Sequence, residues 1–218
     1  MPYRIDLHTH STASPDGSLE LRHYQRMLET RQLDVIAVTD HNTTDMAKEL
    51  HAKLGDRIIV GEEITTLEGE IIGLYLQRTI PPLLSLQDTI RHIRDQGGLV
   101  YVPHPFETVR KGIRRAHLEA VAAEVDIIEC RNGRAVFQDR SRSARAWQQA
   151  HHVPGAASSD AHGMAGWGRT YSTIAAMPAR GTLPELLRDA TYTAGFPGIQ
   201  GMAYPKYNRL RKWNWSIG

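Results

Sequence analysis

Short apolar runs recur along this chain, and six of them lead into side chains that can bind metal. The runs are Ile5-Asp-Leu7, Val35-Ile-Ala-Val38, Ile58-Ile-Val60, Leu99-Val-Tyr-Val102, Val125-Asp-Ile-Ile128 and Gly155-Ala-Ala157. They are followed by His8-Thr-His10, Asp40-His41, Glu62-Glu63, His104, Glu129 and Asp160-Ala-His162. Between the runs the apolar spacing turns helical. It predicts helices over 19–33, with Leu21, Tyr24, Met27 and Leu28 on one stripe, and over 44–54. A third over 85–96 has Ser85 as cap and Gly97-Gly98 as stop. Others are predicted over 118–124, 136–151 and 183–194. Strands alternating with helices predict parallel βαβ units, hence an α/β fold. Residues 70–76 interrupt the alternation and predict a hairpin with the preceding strand. Residues 202–218 show no clear period. They read as a basic, aromatic tail that either wraps on the barrel or reaches the substrate.

Parallel strands of an α/β barrel end on one face, so the side chains that follow them converge there. Convergent imidazoles and carboxylates repel or desolvate one another unless a cation joins them. His8 and His10 stand two apart at a strand end and share a face, and Asp160 and His162 repeat that geometry. Glu63, with two oxygens, suits a bridge between two ions. Asp16 lies in the loop after the first strand. Asp40 reads as structural, and Glu62 points away from Glu63. These are too many donors for one tetrahedral zinc, and their mixture suits a cluster of zinc, manganese or iron. Two such ions can bind the attacking and leaving oxygens of a displacement at phosphorus, with a bridging hydroxide as nucleophile.

Composition changes the picture little. The chain has 218 residues, 41% of them hydrophobic and 23% charged, enough for one domain with a sizeable core. The whole of 1–218 reads as a single compact barrel domain, since such barrels commonly need roughly 250 residues. A formal charge of +2 does not demand nucleic acid or an anionic membrane as partner. One cysteine, Cys130, excludes an intrachain disulfide. With no apolar leader and no run approaching the ~20 residues of a membrane span, a cytoplasmic protein without a membrane or obligate protein partner is expected.

The motifs themselves carry a resemblance. Asp6-Leu-His-Thr-His-Ser-Thr-Ala-Ser-Pro-Asp-Gly17, Thr39-Asp-His41, Gly61-Glu-Glu-Ile64, Pro103-His-Pro-Phe106, Ile128-Glu-Cys-Arg-Asn132 and Ser159-Asp-Ala-His-Gly163 occur in this order. They resemble the motifs of the PHP (polymerase and histidinol phosphatase) family over residues 6–173. The resemblance implies a distorted TIM-like (β/α)7 barrel with a site for two or three divalent ions at the C-terminal ends of the strands. It also implies phosphoester hydrolysis in stand-alone members. Carried over, the ligands are His8, His10, Asp16, His41, Glu63, His104, Asp160 and His162. Two positions depart from the pattern. Glu70 stands where many members have histidine and is either a ligand or an ordinary hairpin carboxylate. Pro15 is an extra residue before Asp16. Glu129 is either a ligand or an acceptor behind one.

The expected chemistry is a metal-dependent phosphoesterase acting on a small phosphomonoester, a nucleotide or a nucleic acid end. Asp160 is assigned to hold or accept the proton of the nucleophile, and His41 or His162 to assist the leaving oxygen. Arg131, Arg134 and Arg169 are candidates to clamp phosphate oxygens, against the alternative of solvated loop charges. Two rivals stand beside this reading: an amide or ester hydrolase using the same cluster, and a non-catalytic, metal-stabilised PHP module.

Overall fold

The structure is a computed structural model that describes residues 2–136 and 138–215. Among the described residues, nine strands make one sheet in the order β7-β6-β5-β4-β3-β2-β1-β8-β9. They are β1 (Tyr3–Asp6), β2 (Val35–Val38), β3 (Ile58–Thr65), β4 (Glu70–Leu74), β5 (Leu99–Val102), β6 (Ile127–Asn132), β7 (Gly155–Ser158), β8 (Tyr171–Ile174) and β9 (Thr191–Thr193). Strands β1, β2 and β3 pair in parallel, as do β5, β6 and β7. The expected hairpin forms: β4 runs antiparallel to both β3 and β5. Reversal brings its first residue, Glu70, to the end of the barrel where the parallel strands finish.

The sheet curls until its first and seventh strands meet. Thr9 bridges Ala161 in parallel just beyond β1 and β7. The His10 N–H donates to the Ala161 carbonyl at 2.8 Å, and the Asp160 N–H to the His8 carbonyl at 2.9 Å. Asp6 reinforces the seam. Its carboxylate accepts from the Ser159 N–H (3.0 Å), the Ser159 hydroxyl (2.5 Å) and Trp167 Nε1 (3.1 Å). Burial pushes the Asp6 carboxyl up to about 6, against the lowering effect of these bonds. The result is the α/β barrel that the alternation predicts, with β8 and β9 continuing the sheet outside it.

One core cluster draws on every barrel strand: Ile5, Val35, Ile59, Ile72, Tyr101, Ile127 and Ala156 are all buried in it. It fills the barrel, so the interior is packed and not a channel. Two outer clusters hold the helices. Helices α1 (Leu21–Glu29) and α2 (Asp45–Leu54) pack Tyr24, Met27 and Leu50 with Ile36 and Val38. Helices α3 (Leu86–Asp95), α4 (Arg115–Ala120) and α5 (Ser141–His151) pack Ile90, Leu118 and Trp147 with Val100, Val102 and Ile128. The Ser85 cap is present, its hydroxyl accepting from the Asp88 N–H at 3.1 Å.

Four segments differ from expectation. Helix α4 begins at Arg115 and ends at Ala120, and residues 122–124 form a separate tight turn. Helix α5 begins at Ser141, because Asp139 accepts from the Ser141 N–H at 2.8 Å and so sets the start. Helix α6 (Leu183–Arg188) is short, and Thr191, Tyr192 and Thr193, β-branched or aromatic, extend the sheet instead as β9. The C-terminal segment is a helix, α7 (Gly198–Trp215), with Pro205 inside it. Its inward face is made by Gly201, Tyr204 and Asn208, so no apolar stripe announces it in the sequence.

The seam generates the first prediction. Asp6→Ala leaves four buried donors unpaired, the Ser159 N–H and hydroxyl, the Trp167 indole N–H and, at 3.4 Å, the His8 N–H, each costing about 1–3 kcal/mol. Denaturant unfolding is expected to show a loss of at least about 3 kcal/mol. A loss under about 1 kcal/mol would remove the seam from its structural role.

Candidate metal centre

The strand ends deliver their polar side chains to one place. His8 and His10 follow β1, His41 follows β2, Glu63 lies on β3, Glu70 opens β4, His104 follows β5, and Asp160 and His162 follow β7. Asp16 arrives from the loop after β1. All are buried except His41, whose side chain is 14% exposed.

Four overlapping groups of donor atoms lie within 4.8 Å: His10, Asp16, His41 and His162; His8, His10 and Glu63; His8, His104 and Asp160; and Glu63, Glu70 and His104. Glu63 spans them. Its Oε2 lies 3.4, 3.3 and 3.2 Å from nitrogens of His8, His10 and His41, and its Oε1 lies 3.0 Å from His104 Nε2. The Asp160 Oδ1 faces His8 Nε2 at 3.7 Å and His10 Nε2 at 3.5 Å.

This donor set fits divalent ions. His8 Nε2 and His10 Nε2 face each other at 3.1 Å, where at most one proton can sit. Asp16 Oδ1 and His104 Nδ1 are buried without a hydrogen-bond partner. Burial pushes the Glu63 carboxyl up, but the imidazoles of His8 and His41 outweigh it and hold it well below the usual carboxylate range. In Asp160, too, burial is outweighed, here by the Arg134 guanidinium and His8, and the group stays ionised. Burial, His10 and Arg134 push His162 down to about 3, which leaves its lone pair free. Burial and the neighbouring Glu63 push Glu70 up to about 7. Burial lowers His8 and His41, but Asp160 and Glu63 outweigh it at His8, which is shifted well up, and Glu63 and Asp16 outweigh it at His41, which is pushed up to about 9; a bound cation would displace these protons and take their place beside the carboxylates.

Glu129 lies behind the cluster and belongs to none of the four groups. Its oxygens meet His8 Nδ1 (3.3 Å), the Tyr101 hydroxyl (3.0 Å), the His104 N–H (2.7 Å) and Asn132 Nδ2 (2.8 Å). It thereby fixes the ring of His8 and the backbone of His104, the two neighbours that turn toward the cluster. Asp40 accepts from the N–H and hydroxyl of Ser11 and so shapes the loop that carries Asp16. Glu62 turns away and accepts from the Ile80 N–H at 2.9 Å.

Of the three candidate arginines, only Arg134 is at the site, 3.4 Å from both Asp160 oxygens. Arg131 pairs with Asp139 at 3.3 Å, and Arg169 donates to the Phe196 carbonyl at 3.0 Å. Sequence reasoning missed Arg110. It reaches Asp160 Oδ2 at 2.7 Å and grips both oxygens of Glu107 at 2.7 and 2.6 Å. Its signal was the Pro103-His-Pro-Phe106 motif, whose loop turns back over the site. Arg209, one of the cations of the basic C-terminal segment expected either to wrap on the barrel or to reach the substrate, lies on α7 and meets Asp16 Oδ2 at 2.6 Å. With Lys111, these cations line a cavity of about 200 Å³ above the donor cluster. A larger cavity, about 690 Å³, lies between α2 and the Met177–Arg180 segment and contains none of these donors.

Solved structures share this architecture. A two-domain protein from Bacteroides vulgatus, described as containing a predicted PHP-like metal-dependent phosphoesterase, superposes with a TM-score of 0.69 at 21% identity, over 96% of this chain and 70% of that one. PsfC from Pseudomonas syringae gives 0.66 at 15% identity, over 98% and 99%. An amidohydrolase from Chromobacterium violaceum, solved with bound sulfate and no metal, gives 0.61 at 17% identity, over 90% and 99%. The fold is that of the PHP-like barrel in the Bacteroides vulgatus protein. No family model matches the chain. It is 37% identical over 123 residues to uncharacterized protein MJ1587 of Methanocaldococcus jannaschii, across 50% of this chain and 72% of that protein, and it belongs to the same family. It is also 35% identical over 145 residues to MJ0417 of the same organism, across 64% of this chain and about half (54%) of that protein.

Glu129 gives a prediction that separates holding a ring from binding an ion. Glu129→Gln keeps the shape but turns one acceptor into a donor against Tyr101, His104 or Asn132. Metal affinity is expected to fall about 10–100-fold, read by competition with a chelating dye. Unchanged affinity would mean that the orientation of His8 does not depend on this carboxylate.

Proposed function

We propose that this protein is a metal-dependent phosphoesterase. The observation that carries the reading is the pairing of two layers: a deep cluster of imidazoles and carboxylates, and above it Arg110, Lys111, Arg134 and Arg209 around a small cavity. The lower layer suits cations and the upper layer suits an anion. His8, His10, Asp16, His41, Glu63, His104, Asp160 and His162 are the residues we assign to hold two or three divalent ions, with Glu70 as a further donor. Bound there, such ions neutralise phosphate oxygens and acidify a water molecule.

The side chains supply the rest. Arg134 and Arg110 flank Asp160 and present guanidinium edges to the cavity, where they bind the non-bridging oxygens of the ester. Asp160, held between them, is placed to take the proton of the attacking water. His41 lines the cavity with part of its ring exposed and is the group we assign to protonate the leaving oxygen. The cavity is below the roughly 300 Å³ at which pockets begin to enclose drug-sized ligands, so the phosphoryl group enters end-on and the remainder of the substrate lies outside. The Chromobacterium violaceum protein's description as an amidohydrolase supports the second reading, attack on an amide or ester carbonyl by the same cluster.

The test begins with the purified chain. More than one equivalent of transition metal is expected by elemental analysis, with activity abolished by chelation and restored by manganese, zinc or iron. Phosphate release is expected from a panel of sugar phosphates, nucleotides and short oligonucleotides, and none from acyl substrates. Arg110→Ala and Arg134→Ala are expected to lower kcat/KM by about 10²–10³-fold each. His10→Ala and Asp160→Asn should fold yet be nearly inactive. Acyl hydrolysis without phosphate release selects the second reading. Absence of metal, with turnover indifferent to chelator, overturns both.

A further inference from the structure

Helix α7 has two working faces, and the proposed chemistry uses only one. The inner face lies on the rim of the metal centre. Asn208 is buried and donates to the Asp16 carbonyl at 2.7 Å and the His162 carbonyl at 3.1 Å. Arg209 meets Asp16, and Lys212 donates to the Thr12 carbonyl at 2.8 Å. The outer face is apolar. Ile199 is 84% exposed, Tyr207 and Leu210 are 59% exposed, and Trp213 is 68% exposed. At 3.6 residues per turn, Ile199, Ala203, Leu210 and Trp213 follow one line along the helix, Tyr207 flanks it, and Asn208 lies opposite. Phe196, 53% exposed, extends the same patch just before the helix.

Charge decides what this patch can meet. From residue 190 to 218 the sequence carries Lys206, Arg209, Arg211 and Lys212, with no aspartate or glutamate. Lys206 lies within the apolar line itself and is exposed. A second copy of the chain would set these cations against their own counterparts. A nucleic acid would find phosphate partners here, but Ile199 and Leu210 offer nothing to a base or a phosphate. A bilayer with anionic headgroups satisfies both properties: aliphatic side chains enter the acyl boundary, Tyr207 and Trp213 sit at headgroup level, and lysine stems reach outward to phosphate.

We propose that the outer face of α7 docks this protein on an anionic lipid surface. The overall balance of charge demands no membrane partner, yet this one helix concentrates cations and exposed apolar side chains together. Docking brings the cavity mouth close to the lipid headgroups, because Pro205 and Arg209 of the same helix line it. The inference does not depend on the phosphoesterase reading.

The test is sedimentation of the full chain with vesicles of phosphatidylcholine alone and of phosphatidylcholine mixed with phosphatidylglycerol. Binding is expected to the anionic vesicles only, and to weaken with added salt. Ile199→Asp and Leu210→Asp are each expected to reduce it about tenfold or more. Both sites are exposed, so the melting temperature and any turnover of a soluble substrate should stay unchanged. Equal binding to both vesicle types, or none, overturns the proposal. So does anionic binding that survives both substitutions. A dimer dissolved by Leu210→Asp would assign the face to a second copy. Oligonucleotide binding lost in the same variant, without vesicle binding, would assign it to nucleic acid.

Discussion

The barrel depends on one buried carboxylate at its seam. Six of the seven barrel strands run the same way, and their ends form a bowl only if the first and last are locked together. Asp6 does this by accepting two bonds from Ser159 and one from Trp167, so that the peptides of His8, Asp160 and Ala161 fall into register. The histidines and carboxylate on that register then face one another across the seam. Stability and chemistry are joined here: the same few residues that close the sheet carry the donors.

A bowl lined with imidazoles and carboxylates is an unfavourable arrangement for a chain without cations. The structure offsets the cost in two ways. Basic side chains reach in from outside, Arg110 and Arg134 against Asp160 and Arg209 against Asp16. Behind the cluster, Glu129, Tyr101 and Asn132 hold rings and backbone in place, so the donors cannot relax by turning away. Preorganisation of this kind keeps the site in shape before any ion arrives.

Much of this was legible in the sequence. The alternation of apolar runs with helical stripes fixed the fold class, because strands buried on both faces must be apolar and the helices covering them must be amphipathic. The convergence of donors followed from their common position after each run. Other features left no periodic trace. Arg110 lies six residues beyond His104 in a loop whose path is set by left-handed backbone at His104, Phe106 and Lys111, which no pattern records. Arg131 and Arg134 are near neighbours of the same chemistry, and only the turn between β6 and α5 separates the one that faces Asp160 from the one that pairs with Asp139. Helix α7 hides its inward face because glycine, tyrosine and asparagine do not read as a buried stripe. Residues 191–193 read as a helix end until β8 offers them an edge.

The reversed strand β4 has a further consequence. Apart from Asp16, which a loop carries, every other donor is tied to a parallel strand end and hence to the shear of the barrel, which cannot change at one position alone. Glu70 is delivered by a hairpin whose turn is closed locally by the Thr66 N–H on the Gly69 carbonyl at 2.8 Å. The Glu70 N–H also donates to the Lys111 carbonyl at 2.9 Å, so its side chain can be exchanged with the backbone left in place, whereas the length of the turn is fixed by the loop after β5. Glu70 is thus a donor delivered by a hairpin and not by a parallel strand end. A substitution at Glu70 therefore changes the donor set at one corner of the cluster while the parallel strand ends stay as they are.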